Sequence, residues 1–267
     1  MLLAIDVGNT AVTYGIYKGK KLVLFGSTLF NDFPKILNKW SKSGDISFKY
    51  ILISSVVPKN TLTLKKLFSK MRPLTVLVAG ENIRVPIKHH YSSIRKLGSD
   101  RIVNIYGALK LYPPPLLIID YGTAVTFDYV SRRKVFEGGM IIPGPEISFQ
   151  ALIDKAALLP KKIRLPKKTS SFLGRNTFDC LRSGVLEGFG ALTDDLVERF
   201  KSIYGKNLRV IATGGFAEYL KPYVNSFDVL DPRHSIKSLF VIFNDLFLNS
   251  KSLHKLSFPA SKAYFHL

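Results

Sequence analysis

The stretch Ile5-Asp6-Val7-Gly8-Asn9-Thr10-Ala11-Val12-Thr13 near the N-terminus returns in the second half of the chain as Ile119-Asp120-Tyr121-Gly122-Thr123-Ala124-Val125-Thr126. Each copy follows a short apolar run and leads into a β-rich segment, which predicts a strand, a tight Asp-x-Gly turn and a second strand. A single Asp-x-Gly turn closes many ordinary hairpins. Two copies that share Thr-Ala-Val-Thr indicate instead a duplicated half-domain in an α/β protein that keeps both turns.

A hairpin of this kind is suited to bind phosphate. Glycine lets the backbone approach a ligand closely, and successive N–H groups and threonine hydroxyls can donate to phosphate oxygens. The aspartate carboxylate can hold a hydrated divalent cation. We therefore expect the two hairpins to face each other and to clamp one nucleotide from two sides.

The composition indicates a globular chain. It has 267 residues, 46% of them hydrophobic, and a mean hydropathy of +0.13. This length is enough for two domains, and the repeat favours residues 1–112 and 113–267. No apolar run approaches the roughly 20 residues of a membrane span, and Asp6 interrupts the apolar run that a secretory signal would need. A single cysteine, Cys180, excludes an intramolecular disulfide framework. We expect a cytoplasmic protein without membrane contact.

The formal net charge of +20 is the unusual feature of the composition. A basic surplus can mark nucleic-acid binding, but it attracts any polyanion, including ATP. The densest basic run, residues 161–168, is predicted to be a solvated loop, because Pro160 precedes it, Pro166 lies within it and no aromatic residues interleave it. Specific nucleic-acid binding is therefore not expected.

The first half continues with predicted strands at residues 50–57 and 74–78 and then a helix. That helix begins near Gly98-Ser99-Asp100-Arg101, has apolar residues at the spacing of one buried face, and is stopped by three prolines at residues 113–115, which would form a hinge. Phosphoryl transfer needs a group that deprotonates the acceptor hydroxyl, and we assign this role to Asp100. The helix dipole favours its ionised form, although a helix-capping acid is the alternative reading. Arg101 beside it suits an acceptor that is itself an acid.

The second half contains further glycine turns and two helices. Gly138-Gly139 precedes a predicted helix at residues 151–158, and a longer helix is predicted from Thr177 to about residue 200. In that longer helix Gly184 and Gly188 stand four apart and permit close packing, either in the core or against a second subunit. A predicted strand at residues 208–212 ends in Thr213-Gly214-Gly215, where a backbone without side chains can lie under a base or ribose.

Together these motifs resemble type III pantothenate kinases in order and spacing over nearly the whole chain. The motifs are Asp6-Val7-Gly8-Asn9-Thr10, Gly98-Ser99-Asp100-Arg101-Ile102-Val103-Asn104, Asp120-Tyr121-Gly122-Thr123-Ala124-Val125-Thr126, Gly138-Gly139, Pro143-Gly144, Ala151-Leu152, Leu159-Pro160, Gly174-Arg175-Asn176-Thr177 and Thr213-Gly214-Gly215. The resemblance implies two ribonuclease-H-like domains with mixed β-sheets flanked by helices, as in the acetate and sugar kinase, heat-shock 70 and actin superfamily. It also implies ATP-dependent phosphorylation of pantothenate at its primary hydroxyl, the first step of coenzyme A synthesis.

The family's site residues carry over onto matching positions. Asp6 to Thr13 would form the first phosphate loop, with Asp6 serving Mg²⁺, while Thr123, Gly214 and Gly215 would bind ATP. Asp120 would ligate a monovalent cation, K⁺ or NH₄⁺. Asp100 would be the general base, and the residues that contact pantothenate would be Tyr91, Gly98, Ser99, Asp100 and Arg101. Thr177 would reach pantothenate from the neighbouring subunit, which implies a homodimer with a shared active site.

One segment departs from the family pattern, and one alternative function remains. Residues 92–97 read Ser-Ser-Ile-Arg-Lys-Leu where an Asn-Pro pair is expected, so this loop would be shaped differently. The alternative is a regulatory paralogue that supports transcription, a role that the net charge of +20 would suit. Retention of Asp6, Asp100, Arg101, Asp120 and Thr177 together favours catalysis, because a pure binding protein needs no acceptor base.

Overall fold

Two β-sheets, one built mainly from each half of the chain, form the frame of the molecule. The computed structural model describes residues 1–43, 47–71, 74–159 and 172–248, so the basic run at residues 161–168 lies outside the described residues. The first sheet has the order β3-β2-β1-β4-β5. Its strands are β1 (Leu2–Val7), β2 (Val12–Lys18), β3 (Lys21–Thr28), β4 (Tyr50–Ser55) and β5 (Thr75–Val78).

The second sheet repeats this pattern. Its order is β11-β10-β7-β8-β9-β6. The strands are β6 (Lys88–His89), β7 (Leu116–Tyr121), β8 (Ala124–Val130), β9 (Val135–Pro143), β10 (Arg209–Thr213) and β11 (Val229–Leu230). In each sheet a central strand, β1 or β7, pairs antiparallel with the next strand and parallel with a later one. The predicted duplication of the hairpin and the α/β fold class are thereby confirmed.

Both central strands are buried because sheet neighbours and helices cover them on every side. Leu116 to Ile119 in β7 have no exposed surface, and Leu2 to Ile5 in β1 expose at most 4%. A continuous apolar run is the usual signature of such a strand. The predicted strands at residues 50–57, 74–78 and 208–212 are also present, with ends shifted by one or two residues.

Seven α-helices surround the sheets in the described part of the chain. They are α1 (Phe33–Ser43), α2 (Pro58–Ser69), α3 (Ser99–Leu111), α4 (Pro145–Lys155), α5 (Thr177–Tyr204), α6 (Ala217–Leu220) and α7 (His234–Ile242). Helix α3 ends just before the three prolines, as predicted. Helix α4 begins six residues before the predicted start, because Pro145 is well suited to the first helical turn. None of these helices combines the length and the apolar character needed to cross a membrane.

Helix α7 comes from the C-terminal part of the chain but packs on the first sheet. It lies against α3, β1, β2 and β4. Ile236 and Ser238 occupy the places where a Cβ would stand at Gly15 and Gly107, so the backbones approach closely. Strand β6, from the first half, pairs with β9 of the second sheet. The domain division at residues 112 and 113 stays a prediction.

Candidate active site

The turns of the two hairpins meet between the sheets. The hydroxyl oxygens of Thr10 and Thr123 are hydrogen-bonded at 2.8 Å. In both turns the glycine N–H closes the turn: that of Gly8 donates to the carbonyl of Ala11, and that of Gly122 donates to the carbonyl of Ala124, so the second turn is one residue shorter. The structure therefore brings the two predicted phosphate loops face to face.

A cleft of about 550 Å³ opens between these hairpins. Of the residues predicted to bind nucleotide, metal or acceptor, it is lined by Asp6, Gly8, Asn9, Thr10, Ala11, Thr13, Asp100, Asp120, Thr123 and Gly215. Its volume falls within the usual range for small-molecule sites. Val56, Glu146 and Tyr219 also line the cleft and were not anticipated from the sequence.

Other predicted site residues lie outside this cleft. Val7 and Val12 are buried in the core of the first sheet, at 1% and 0% exposure, so their side chains pack and only their backbone is near the turn. Gly98, Ser99, Tyr91 and Arg101 lie on or before α3 and do not line the cleft. Thr177 is exposed at the start of α5 and does not line it either.

Three carboxylates of the cleft influence each other's charge. Burial raises the pKa of Asp6 to about 6, and the nearby charge of Asp100 acts in the same direction. Burial raises the pKa of Asp120 to about 7, with further contributions from Asp6, Asp100 and Asp128. Burial also raises the pKa of Asp100, although the N–H and the charge of Arg101 act against this. The cluster of carboxylates therefore makes the cleft a favourable site for a cation.

Asn104 holds one of these carboxylates in place. Its Nδ2 donates to Oδ2 of Asp120 at 2.9 Å, and its side chain is almost fully buried. The other carboxylate oxygen of Asp120 faces Gly214, where a Cβ would collide with it and where φ is +93°. Gly214 is therefore needed for this close approach. Asn104 was missed from the sequence, but it lies four residues after Asp100, on the same face of α3.

Asp100 occupies the first turn of α3. The N–H of Arg101 donates to its Oδ1 at 2.7 Å, and the positive end of the helix dipole adds to this stabilisation. Ser99, one residue earlier, ties the helix to the first sheet: its hydroxyl donates to the carbonyl of Ser55 at 2.7 Å and accepts from the N–H of Ser55 at 3.1 Å. The helix start is thus fixed relative to β4.

Arg101 forms a buried ion pair with Asp128. Its Nη2 and Nε donate to Oδ1 of Asp128 at 2.6 and 3.0 Å, and the side chains expose only 8% and 2% of their surface. The rings of Tyr91 and Phe136 lie 6.0 and 5.8 Å from the guanidinium carbon. A Cβ at Gly139 would press on both charged groups. Asp128 was missed from the sequence, and its signal is a single acidic residue in the otherwise apolar part of β8.

The arrangement fits a divalent cation held jointly with a ligand. In the parts of the chain that the structure describes, no three His, Cys, Asp or Glu side chains stand close enough to enclose a metal ion by themselves. Asp6 and Asp120 nevertheless offer hard oxygen ligands whose pKa values are raised, and Mg²⁺ commonly takes one or two carboxylates and completes its shell with water and phosphate. The residues present therefore fit Mg²⁺ bound together with a nucleotide.

The chain matches known proteins over most of its length. Residues 2–199 match the family model for type III pantothenate kinase. Proteins named type III pantothenate kinase from Bacillus cytotoxicus and Syntrophus aciditrophicus are each 33% identical to the chain. The alignments cover 91% of this chain in both cases, and 95% and 98% of those proteins.

Solved structures with the same fold are more distant. A Baf-family transcriptional activator from Campylobacter jejuni superposes with a TM-score of 0.58 at 18% identity, covering 91% of this chain and 98% of that one. A 2-dehydro-3-deoxygalactonokinase from Sinorhizobium meliloti gives 0.55 at 10% identity, covering 92% and 99%. MreB5 of Spiroplasma citri, bound to ADP, gives 0.50 at 12% identity, covering 92% and 96%. These structures place the chain in the fold of actin-like ATPases and sugar kinases, and the family match with its 33% identical relatives assigns the chain to the type III pantothenate kinase family.

Proposed function

We propose that the chain transfers the γ-phosphoryl group of ATP to the primary hydroxyl of pantothenate, the first step of coenzyme A synthesis. Membership of the type III pantothenate kinase family supports this activity. The observation that carries the residue roles is the meeting of two Asp-x-Gly hairpins over a cleft that also receives Asp100. Nucleotide phosphates would lie between the hairpins, where backbone N–H groups and threonine hydroxyls can donate to them.

Asp100 is the base in this scheme. Its carboxylate would accept the proton of the pantothenate hydroxyl as the hydroxyl oxygen bonds to the γ-phosphorus and the bond to the bridging oxygen of ADP breaks. A carboxylate whose pKa is raised by burial is a stronger base than a free aspartate. Mg²⁺ bound by Asp6 and the nucleotide would offset negative charge on the phosphates.

Arg101 would recognise the carboxylate of pantothenate. Asp128 occupies the Nε–Nη2 edge of the guanidinium, and the Tyr91 side chain also hydrogen-bonds to the guanidinium. An acidic acceptor would take the remaining donors of the Nη1–Nη2 edge. Because Asp128 and the two rings fix the plane of the guanidinium, this edge is oriented before the acceptor arrives. Tyr91, Gly98 and Ser99 would complete the acceptor side.

The monovalent cation and the second subunit belong to the same proposal. Asp120, with its raised pKa, would ligate K⁺ or NH₄⁺.

The segment around Thr177 is apolar and exposed: Phe172, Leu173 and Phe178 expose 73%, 71% and 37% of their surface. At Gly184 and Gly188 an added Cβ would meet nothing within 4 Å among the described residues, so neither glycine serves packing against that part of the chain. A second copy that covers this face would bring its Thr177 to the acceptor.

The test is an assay of the purified protein with ATP, Mg²⁺ and pantothenate, with potassium present or replaced by sodium. We expect phosphopantothenate and ADP in equal amounts, and a sharp fall in rate in sodium alone. Nucleotide binding without any product would favour the regulatory paralogue. Equal rates in potassium, ammonium and sodium would remove Asp120 from the monovalent cation site while leaving the kinase assignment intact.

A further inference from the structure

A second cavity, of about 700 Å³, lies on the other side of the start of α3. It opens beyond the C-terminal ends of the parallel strands β4 and β5, and the carboxyl ends of parallel strands are where α/β sheets commonly bind ligands. Its size is again that of a small-molecule site. None of Asp6, Asp100, Asp120 and Arg101 lines it, so its lining differs from that of the nucleotide cleft and from the Arg101 pair. Of the residues proposed to contact pantothenate, Ser99 alone belongs to the lining of this cavity.

One part of the wall of this cavity is apolar and partly exposed. Ile87, Ile94 and Ile102 are half-buried around it, and Leu97 is buried beneath. Ile94 and Leu97 belong to the segment 92–97, which departs from the family pattern. The departure therefore shapes this cavity, and an apolar ligand body would cover the exposed parts of the isoleucines.

Two arginines supply the charge. Arg84 and Arg95 both line the cavity and are exposed. Neither forms an ion pair with a carboxylate among the residues that the structure describes. Glu81, the acidic residue of the cavity wall, is already paired with Lys65. The guanidinium fork matches carboxylate and phosphate oxygens, so the charge selects an anionic head group.

We propose that this cavity binds a small amphipathic acid, a molecule with a carboxylate or phosphate head between Arg84 and Arg95 and an apolar body against the isoleucines. The cavity shares its wall with the kinase machinery through Ser55 and Ser99, whose mutual hydrogen bonds fix the start of α3 next to Asp100. A ligand bound here contacts the residue that precedes the base without entering the nucleotide cleft.

The experiment measures binding by isothermal titration calorimetry with four probes. Octanoate and octyl phosphate carry both parts and distinguish the two head groups, octyl glucoside lacks the charge, and inorganic phosphate lacks the apolar body. We expect one of the two octyl acids to bind at least about tenfold more tightly than either partial probe, because charged hydrogen bonds and apolar burial act together. Saturating ATP with Mg²⁺ should leave that affinity unchanged.

Variants identify the site. Arg84→Gln and Arg95→Gln should each weaken binding about tenfold, and Ile94→Ala should weaken it several-fold, whereas Arg132→Gln, at an exposed arginine outside the cavity, should not. Unchanged thermal unfolding midpoints would show that the variants are folded. The proposal is overturned if no octyl acid binds at millimolar concentration, if the arginine variants bind normally, or if ATP displaces the probe. Competition by pantothenate would also overturn it, because the cavity would then be the acceptor pocket.

Discussion

Asp100 combines three properties at one residue: a place in the first turn of α3, partial burial, and access to the cleft between the hairpins. If it removes the proton of the attacking hydroxyl, Asp100→Asn should lower kcat by about 10²–10⁴ while ATP binding and the unfolding midpoint stay close to those of the parent protein. Steady-state kinetics and nucleotide titration measure these quantities. Near-normal turnover would return Asp100 to the role of a helix-capping acid.

Asp128 is expected to matter through Arg101. Asp128→Asn removes one partner of a buried ion pair, which commonly costs about 3–5 kcal/mol of stability, and it frees the guanidinium to turn. We expect KM for pantothenate to rise more than kcat falls, because the Arg101 edge is proposed to bind the acceptor. Asp195→Asn is the matched control, since its pair with Arg199 is exposed and worth at most about 1 kcal/mol. A variant with unchanged KM would leave Asp128 a purely structural residue.

Asp120 should make the protein without metal less stable as the pH rises. An acid whose pKa is raised in the folded state, here to about 7, keeps its proton when the unfolded chain has already lost it. The resulting loss of stability is absent at pH values below the pKa of Asp120 in the unfolded chain. It grows as the pH rises and is complete above about pH 7. In EDTA and a buffer free of K⁺ and NH₄⁺, Asp120→Asn should therefore stabilise the protein at pH 8 by roughly 2–4 kcal/mol and have little effect at pH 4. Chemical denaturation at both pH values measures this, and the opposite sign would contradict the assigned environment.

At the scale of elements, the crossing of α3 and α7 depends on Gly107. Ser238 occupies the space that a Cβ at Gly107 would need, so Gly107→Ala should force the helices apart and destabilise the protein by about 1–3 kcal/mol. Helix propensity alone predicts a gain of about 0.5–1 kcal/mol for the same change. Denaturant unfolding distinguishes the two signs, and a gain in stability would show that the crossing is looser than described.

Local chemistry made some elements predictable. The two hairpins follow from Asp-x-Gly turns between apolar strands, and the end of α3 follows from the prolines. The start of α4 was missed although Gly144 and Pro145 signal it. The partners of Asn104 and Asp128 could not be predicted, because they lie on distant segments of the chain that only the tertiary fold brings together. The packing of α7 on the first sheet is of the same kind, since an apolar helix face does not encode which sheet it covers.

At the scale of the whole molecule, the apolar surface at the start of α5, exposed among the described residues, is the proposed dimer interface. We expect the protein to sediment as a dimer, and Phe178→Asp to yield a monomer without kinase activity, because an introduced charge would have to be buried in the interface. Leu62→Asp is the control, since Leu62 is exposed on α2, far along the chain from this surface. A parent protein that is a fully active monomer would contradict the shared site.

The position of α7 also has a consequence for synthesis on the ribosome. Residues from the first strands, such as Leu2 and Tyr17, share one buried cluster with Ile236, Leu239 and Ile242 of α7. During translation, part of the core of the N-terminal half stays open until α7 (His234–Ile242) has emerged from the ribosome. The core of the N-terminal half is therefore not completed before the C-terminal half is made, although the two halves have similar strand orders. A product that terminates before residue 234 would expose this cluster to chaperones and proteases.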